Sequence, residues 1–373
     1  MKVLIFSLAY MPFIGGAELA AKEITDRISG IDFDMITVNL DGRQKSFEKI
    51  GNINIYRLGR GRLAKYFFPF AAFKFAAELH QKNQYGAVWA IMANQAGLAA
   101  LRFKNKFPRV KYLLTLQEGD SLKRIWSRTW FMRSRYKKIY QSADGIQAIS
   151  TFLARRAKKY GYRGKIEVVP NGVDLSNFRQ NLSAENIENI RSKLGLVKED
   201  KVVVTISRLV YKNGVDTLVK AIKDLPVKVL IIGRGAWEIK LKTLAQELGV
   251  KDRVLFLGYI GQKDLPQYLK LADVFVRTSR SEGLGSAFLE AMAVDVPVIG
   301  TKVGGIPDFL KEGETGLFSE VNNPSDLAAK IRILLADENL RQKLIKNGRE
   351  LVLRDYDWRP IAEKMKLIIS RLS

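Results

Sequence analysis

The chain has 373 residues, 47% of them hydrophobic, and a formal net charge of +24. This length suffices for two domains with large buried cores, and no apolar run approaches the ~20 residues that cross a bilayer. The absence of cysteine excludes disulfides, thiolate catalysis and cysteine metal sites, and is typical of a cytoplasmic protein. The first residues are basic and then apolar like a signal peptide, but their fit to a β-strand predicts that they are retained.

The positive charge is concentrated in the N-terminal half. Residues 1–175 contain 30 Lys/Arg and 13 Asp/Glu, a net charge of +17, whereas residues 176–373 contain 32 and 25, a net charge of +7. Nucleic acid is one partner that such a charge attracts, and an anionic membrane surface is another.

Strand and helix patterns alternate through the N-terminal half. A buried parallel strand is predicted at 2–10, followed by a loop and a helix at 17–28. Further strands are predicted at 34–38, 53–57, 87–91, 111–116, 145–149 and 166–169. This alternation predicts βαβ units on a parallel sheet, in which ligands bind beyond the carboxyl ends of the strands. This rule predicts that three groups of residues lie around one crevice: 94–95, 117–120 and 150–151.

Two glycines, Gly15 and Gly16, precede the first predicted helix. Such a position can hold a phosphate, although a tight strand-to-helix turn explains the spacing equally well. The chain contains no G-x-G-x-x-G at this point, which argues against a dinucleotide enzyme.

Residues 123–138, KRIWSRTWFMRSRYKK, combine seven Lys/Arg with four aromatic residues and no acid. The pattern favours an amphipathic helix on a membrane interface. A core stripe with a solvated cationic face is the main alternative, and a nucleic-acid patch is the least favoured. A second group of aromatics among cations lies at 66–75. The residues assigned to membrane or acceptor contact are Lys123, Arg124, Trp126, Arg128 and Trp130.

A turn cluster at 170–174, PNGVD, closes the first domain, and the strand–helix alternation then starts again. Strands are predicted at 202–207, 227–233, 254–258, 273–279 and 296–300. The fold class is therefore α/β, with two tandem doubly wound, Rossmann-like domains at 1–175 and 176–357.

The stretch from 280 to 307 carries the most specific chemistry. Glu282 opens a glycine-bearing loop, a helix is predicted to start near Ser286, and Glu290 is expected in its first turn. Glycines before a helix start accommodate an anion, whereas an ionised carboxylate accepts hydrogen bonds from hydroxyls. Together they indicate a ligand with both a phosphate and a polyol, a sugar nucleotide.

Five short motifs in order, GGAE, NGVD, R-x3-K, EGLGSAFLEAMA and GGIPD, resemble the retaining glycosyltransferases of the GT-B fold, family 4. The resemblance covers nearly the whole chain. It implies an N-terminal acceptor-binding domain and a C-terminal nucleotide-sugar-binding domain that face each other across a cleft. It also implies that a last helix, at 358–373, crosses back to the first domain.

The resemblance also implies residue roles. Arg208 and Lys212 would neutralise the departing diphosphate, Glu282 would face the donor sugar, and Glu290 would bind the ribose hydroxyls. The other implied donor-binding residues are Gly15, Gly16, Gly233, Gly258, Tyr259, Ile260, Gly283, Leu284, Gly285 and Ser286.

One position departs from the family pattern. A histidine usually follows the strand at 111–116, but here Gln117 and Glu118 stand there, and the single histidine, His80, lies in a predicted helix. A structural role is expected for His80. Gln117 is a candidate for binding a sugar hydroxyl and Glu118 for accepting a proton.

The function implied is retaining transfer of a sugar from a UDP- or GDP-linked donor to a hydroxyl of a glycan or lipid-linked acceptor, in cell-surface polysaccharide or glycolipid synthesis. No metal or cofactor is implied, nucleic acid is not expected as a partner, and a cytoplasmic, peripheral location on the inner face of the membrane is expected. The first alternative is a phosphorylase or synthase of the same fold, of which a pyridoxal-phosphate phosphorylase needs a far longer chain. The others are a catalytically silent membrane or glycan-binding subunit and a nicotinamide oxidoreductase.

Overall fold

The computed structural model describes residues 1–120, 133–180 and 183–372. The chain divides into two compact units, one formed by Met1–Asn171 with Trp358–Ser373 and the other by Gly172–Asp357. Each unit is a Rossmann-like α/β sheet flanked by helices, so the predicted fold class is confirmed.

The first unit contains an eight-stranded sheet in the order β3-β4-β2-β1-β5-β6-β7-β8. The strands are β1 Lys2–Phe6, β2 Asp32–Val38, β3 Phe47–Ile50, β4 Ile53–Leu58, β5 Ala87–Ile91, β6 Lys111–Leu116, β7 Gly145–Ala148 and β8 Ile166–Val168. All neighbouring strands are parallel except the β3–β4 pair. The helices described are α1 Gly16–Asp26, α2 Ala64–Asn83, α3 Gln95–Lys106, α4 Arg133–Gln141 and α5 Thr151–Lys159.

The centre of this sheet follows from its composition. Residues Val3 to Phe6 of β1 are fully buried, as expected for a parallel strand covered by helices on both faces. The strand ends at Phe6 rather than at residue 10. Strand β3 was not predicted, because its residues alternate between exposed and half-buried at the sheet edge.

The second unit contains a six-stranded, fully parallel sheet in the order β11-β10-β9-β12-β13-β14. The strands are β9 Lys201–Ile206, β10 Val227–Ile232, β11 Val254–Gly258, β12 Val274–Arg277, β13 Val298–Thr301 and β14 Leu317–Ser319. The helices are α6 Leu175–Phe178, α7 Ala184–Lys193, α8 Val215–Ala221, α9 Glu238–Glu247, α10 Leu265–Leu269, α11 Ser286–Ala293, α12 Pro324–Ala336 and α13 Glu338–Asp355. Strand β14 has three residues, lies at the edge of the sheet and was not predicted from the sequence.

The last helix, α14, spans Trp358–Leu372 and belongs to the first unit. Trp358, Ile361, Met365 and Ile369 recur every three or four residues and are buried in the same core cluster as β1 and α1. Helical spacing thus places one apolar face against the first unit. Among the described helices, none is long and apolar enough to cross a membrane.

Candidate active site

The carboxyl ends of the second unit's strands bring the predicted donor residues to one sheet edge. Because β9 lies between β10 and β12, and β12 between β9 and β13, the loops that follow them are neighbours. Arg208 follows β9, Gly233 follows β10, Glu282 follows β12 and Gly304 follows β13. The strand order of the sheet therefore brings these four loops next to one another.

Two glycines allow these loops to approach each other closely. At Gly233, with φ +130°, an added Cβ would lie 1.9 Å from the carbonyl oxygen of Ser207. At Gly304, with φ +58°, it would lie 1.8 Å from the carbonyl oxygen of Glu282. Neither position has room for a side chain, so the loop carrying Glu282 is pressed against the loop after β13.

Glu282 is held by three groups and is largely shielded from solvent. Its Oε2 lies 2.6 Å from Nη2 of Arg277 and accepts a hydrogen bond from Ser279 Oγ at 3.3 Å. Its Oε1 accepts a hydrogen bond from the N–H of Gly283 at 3.1 Å. The side chains of Glu282 and Arg277 are 12% and 13% exposed. The carboxylate is therefore preorganised as an acceptor.

The start of α11 has the features of an anion-binding terminus. Gly285 caps the helix in the left-handed region, with φ +101° and ψ 54°, and has no side chain that could accept a hydrogen bond from the first helical N–H groups. Ser286 is half-buried, and Gly283 and Leu284 are buried. A ligand phosphate would therefore contact backbone N–H groups rather than these side chains.

Glu290 lies one turn further into α11 than predicted. Helix α11 begins at Ser286 and has no acid in its first turn, so the expectation of a first-turn carboxylate is wrong. The residue is 7% exposed, and its Oε1 accepts a hydrogen bond from Gln262 Nε2 at 3.1 Å. Burial raises the pKa of the Glu290 carboxyl above its usual value, while Gln262 and the charge of Arg277 oppose the rise.

Arg208 and Lys212 occupy an anchored loop. Arg208 is exposed, and its carbonyl accepts a hydrogen bond from Asn213 Nδ2 at 2.7 Å. The carbonyl of Lys212 accepts a hydrogen bond from the N–H of Arg280 at 2.7 Å. The Arg280 guanidinium makes two hydrogen bonds to Asp216, at 2.9 and 2.7 Å. The loop carrying both predicted cations is thereby tied to the segment that leads into Glu282.

The predicted base-binding residues follow β11. Gly258 adopts φ +69°, Tyr259 is 59% exposed and Ile260 is half-buried. The N–H of Gly233 donates to the carbonyl of Gly258 at 2.6 Å, which joins this turn to the turn after β10. A flat, exposed aromatic ring at this edge suits contact with a nucleoside.

In the first unit, Gly15 caps α1 and Gly16 is its first residue, and both are exposed. The N–H of Gly15 donates to Oε2 of Glu18 at 2.8 Å, and Glu18 is 8% exposed. A carboxylate of the protein therefore already occupies part of this helix start. A phosphate there would have to compete with Glu18.

Gln117 and Glu118 leave β6 in different environments. Gln117 Oε1 accepts a hydrogen bond from Asn171 Nδ2 at 3.1 Å. Glu118 Oε1 accepts one from the N–H of Ala93, and its buried Oε2 has no hydrogen-bond partner in the part of the chain that is described. Burial raises the pKa of the Glu118 carboxyl, opposed by backbone N–H groups and the charge of Arg156. Arg156, 2% exposed, donates to the carbonyls of Glu118 at 3.1 Å and Asp120 at 2.8 Å.

His80 has a structural environment. Its Nδ1 accepts a hydrogen bond from the N–H of Tyr85 at 3.1 Å, and its ring packs against Phe103 and Phe107. Burial lowers the pKa of the imidazole.

The residues predicted to contact a membrane or an acceptor lie outside the described part of the chain. They are Lys123, Arg124, Trp126, Arg128 and Trp130.

Comparisons with known proteins agree with this fold. Residues 14–177 match the family model described as Glycosyltransferase Family 4, and residues 186–351 match Glycosyl transferases group 1. The chain belongs to the group 1 glycosyltransferases of the GT-B fold. It is thus a transferase enzyme.

Individual relatives match about two thirds of the length of this glycosyltransferase. It is 34% identical over 253 residues to the GDP-mannose-dependent alpha-(1-6)-phosphatidylinositol monomannoside mannosyltransferase of Mycobacterium tuberculosis, covering 64% of this chain and 65% of the relative. To the enzyme of the same name from Mycolicibacterium smegmatis it is 30% identical over 258 residues, covering 66% and 67%.

Two solved structures share the fold over the full length. Sucrose-phosphate synthase from Thermosynechococcus elongatus superposes with a TM-score of 0.88 at 24% identity, covering 100% of this chain and 98% of that one. HepE from Anabaena, solved with UDP and glucose, superposes with a TM-score of 0.83 at 20% identity, covering 99% of each chain.

Sequence reasoning missed several residues that organise the candidate site. Arg277, Arg280 and Gln262 in the second unit, and Asn171 and Arg156 in the first, were not singled out. The one available signal was Arg277, a cation at the end of an otherwise apolar strand. The remaining contacts join residues 28 to 64 positions apart and have no local pattern.

Proposed function

We propose that this glycosyltransferase moves a sugar from a nucleoside diphosphate to a hydroxyl of a glycan or lipid-linked acceptor, with retention of the anomeric configuration. The observation that carries the proposal is the sheet edge of the second unit. It joins the anchored loop of Arg208 and Lys212, the fixed carboxylate of Glu282 and the glycine-capped start of α11. This set matches a ligand that has anionic and hydroxyl groups in one molecule.

The proposed chemistry centres on departure of the diphosphate. Charge develops on its oxygens as the bond to the sugar breaks. Arg208, Lys212 and the N–H groups at the start of α11 would stabilise that charge, which is where fixed donors contribute most. Glu282 would accept hydrogen bonds from sugar hydroxyls and Glu290 from the ribose. The acceptor hydroxyl would attack from the side of the leaving phosphate, which removes its proton.

The donor base is proposed to be guanine or uracil. The mycobacterial relatives are described as GDP-mannose-dependent, whereas HepE was solved with UDP and glucose. Both donors are therefore test substrates. The first unit is proposed to bind the acceptor, with Gln117 and Glu118 beyond β6 as candidate contacts.

Release of the nucleoside diphosphate tests the proposal. We expect wild-type protein to release UDP from UDP-glucose or GDP from GDP-mannose when a glycolipid acceptor is supplied. Both donors are α-linked, so NMR of the product should show an α-glycosidic bond. A β-linked product would contradict retention. Failure to release or bind either nucleotide would instead favour a catalytically silent binding subunit.

We further propose that the protein docks peripherally on the anionic, cytoplasmic face of a membrane, where a lipid-linked acceptor is found. Support comes from helix α2. Leu63, Tyr66, Phe67 and Phe70 are 73%, 58%, 71% and 58% exposed. Their spacing places them on one helical face.

The charge around this face fits an anionic surface. Residues 49–77 contain six Lys/Arg and no Asp or Glu. The guanidinium of Arg102 lies over the ring of Phe70 at 3.9 Å, and the ammonium of Lys65 lies 5.0 Å from the ring centre of Tyr66. Aromatic rings flanked by cations are typical of helices that lie in a lipid headgroup region.

Vesicle sedimentation tests this docking surface. Phe67→Ser/Phe70→Ser should bind vesicles of phosphatidylcholine and phosphatidylglycerol at least about tenfold more weakly, because two aromatic rings no longer enter the interface. Ile239→Ser, which removes an 81% exposed apolar side chain from the second unit, is the matched control and should bind normally. Replacing Lys123, Arg124 and Arg128 with Glu tests the other basic segment. Unchanged binding in both variants would contradict membrane docking.

A further inference from the structure

Arg277 is an unusual residue for its position. It ends β12, whose preceding residues Val274, Phe275 and Val276 are fully buried, and its own side chain is only 13% exposed. Removing a guanidinium from water is costly unless it is paired and hydrogen-bonded. The structure therefore requires that this charge be compensated, and the compensating group is Glu282.

The contacts of Arg277 form a closed cluster. Its Nη2 lies 2.6 Å from Glu282 Oε2, its Nε donates to Ser279 Oγ at 3.3 Å, and its Nη1 donates to the carbonyl of Ile206 at 3.4 Å. Ser279 Oγ in turn donates to Glu282 Oε2 at 3.3 Å. The arginine thus links the end of β9 to the loop after β12 and sets the orientation of the Glu282 carboxylate.

The cluster also sets the charge at the carboxyl ends of the second unit's strands, where the donor is proposed to bind. Two shielded carboxylates, Glu282 and Glu290, lie at the place where an anionic diphosphate is proposed to bind. Arg277 neutralises the first by direct contact, and its charge also acts on the second. Without Arg277, the full negative charge of Glu282 would repel the incoming ligand across a partly desolvated site.

We propose that Arg277 is a positioning residue that orients Glu282 and cancels its charge, so that the anionic donor can bind beside a largely shielded carboxylate. This inference rests on the proposed function of the same site. It differs from a purely structural role in one consequence: neutralising Glu282 should restore nucleotide affinity as well as stability. An ion pair that is only structural would recover its stability in the double variant but would leave nucleotide affinity unchanged throughout.

Four proteins test it by isothermal titration with UDP and GDP: wild type, Arg277→Met, Arg277→Lys and Arg277→Met/Glu282→Gln. Arg277→Met should weaken nucleotide binding roughly tenfold or more, the scale of an uncompensated charge near a bound anion. Arg277→Lys, which keeps the charge, should lose much less. The double variant should recover most of the lost affinity, because glutamine is uncharged and has the size of glutamate.

Thermal unfolding without ligand provides a second readout. Arg277→Met should lower the unfolding midpoint, and adding Glu282→Gln should restore most of it, since no buried charge is then left alone. The inference is overturned if Arg277→Met binds nucleotide like wild type. It is also overturned if the double variant fails to recover nucleotide affinity, or fails to recover the unfolding midpoint, relative to Arg277→Met. Wild-type protein that binds neither nucleotide contradicts the proposed function, while the unfolding comparison still decides the pairing of Arg277 with Glu282.

Discussion

Lys212→Ala should lower kcat for sugar transfer by roughly 100- to 1,000-fold, the effect of removing one preorganised group that stabilises developing charge. The half-buried lysine lies in the turn after β9 and is proposed to contact the diphosphate as it departs. Affinity for the free nucleoside diphosphate should fall as well, because the same charge acts on the bound product.

The matched control for this variant is Lys220→Ala. Lys220 is an exposed cation on α8, in the same unit, and its removal changes the net charge equally. It should leave kcat and nucleotide affinity near wild-type values. If Lys212→Ala turned over normally, or if both variants lost activity to the same extent, Lys212 would have no specific role in leaving-group departure.

Glu282→Ala should lower kcat by about 100-fold or more, but for a different reason and with a different signature. The carboxylate is proposed to hold the donor sugar, so its loss removes an interaction at the reacting end of the donor. Removing this negative charge leaves Arg277 without its partner and should not weaken binding of the free nucleoside diphosphate. The dissociation constant should therefore be equal to the wild-type value or lower.

Kinetics and titration on the same preparations separate the two variants. Lys212→Ala is expected to lose turnover and nucleotide affinity together, whereas Glu282→Ala loses turnover alone. Glu247→Ala, which removes an exposed carboxylate at the end of α9, controls for net charge. Near-normal turnover of Glu282→Ala, with Glu247→Ala for comparison, would remove Glu282 from the proposed site.

The sequence predicted the fold because parallel strands that are buried on both faces have a recognisable composition. The central strands β1, β5, β9 and β10 are nearly continuous apolar runs, and their order along the chain with helices between them determines a doubly wound sheet. The edge strand β3 escaped prediction because it is short and none of its residues is fully buried, and the three-residue edge strand β14 was also missed. Helix α11 was predicted at its true start, but the position of Glu290 was misjudged by one turn.

The candidate site was predictable only where its residues form local motifs. Arg208, Lys212 and Glu282 each stand within a few residues of a strand end, so strand prediction alone brings them to one edge. The pairing of Arg277 with Glu282 depends on the exact path of the loop after β12, and the hydrogen bond from Arg156 to the Glu118 carbonyl joins residues 38 positions apart. Such contacts arise from packing in three dimensions and leave no periodic signal in the chain.

The central claim is that the second unit binds a nucleoside diphosphate as part of a sugar donor. A thermal-shift panel with UDP, GDP, ADP, dTDP and NAD at millimolar concentration tests it most directly. A ligand at about 100 times its dissociation constant adds about 2.7 kcal/mol to the free energy of unfolding. For units of this size that corresponds to a rise of roughly 5–10 °C in the unfolding midpoint.

We expect one of the nucleoside diphosphates to produce this shift in the wild-type protein, a smaller shift in Lys212→Ala, and none with NAD. That result would also identify the base of the donor. A panel in which no nucleoside diphosphate raises the midpoint, or in which NAD alone does so, would contradict the account.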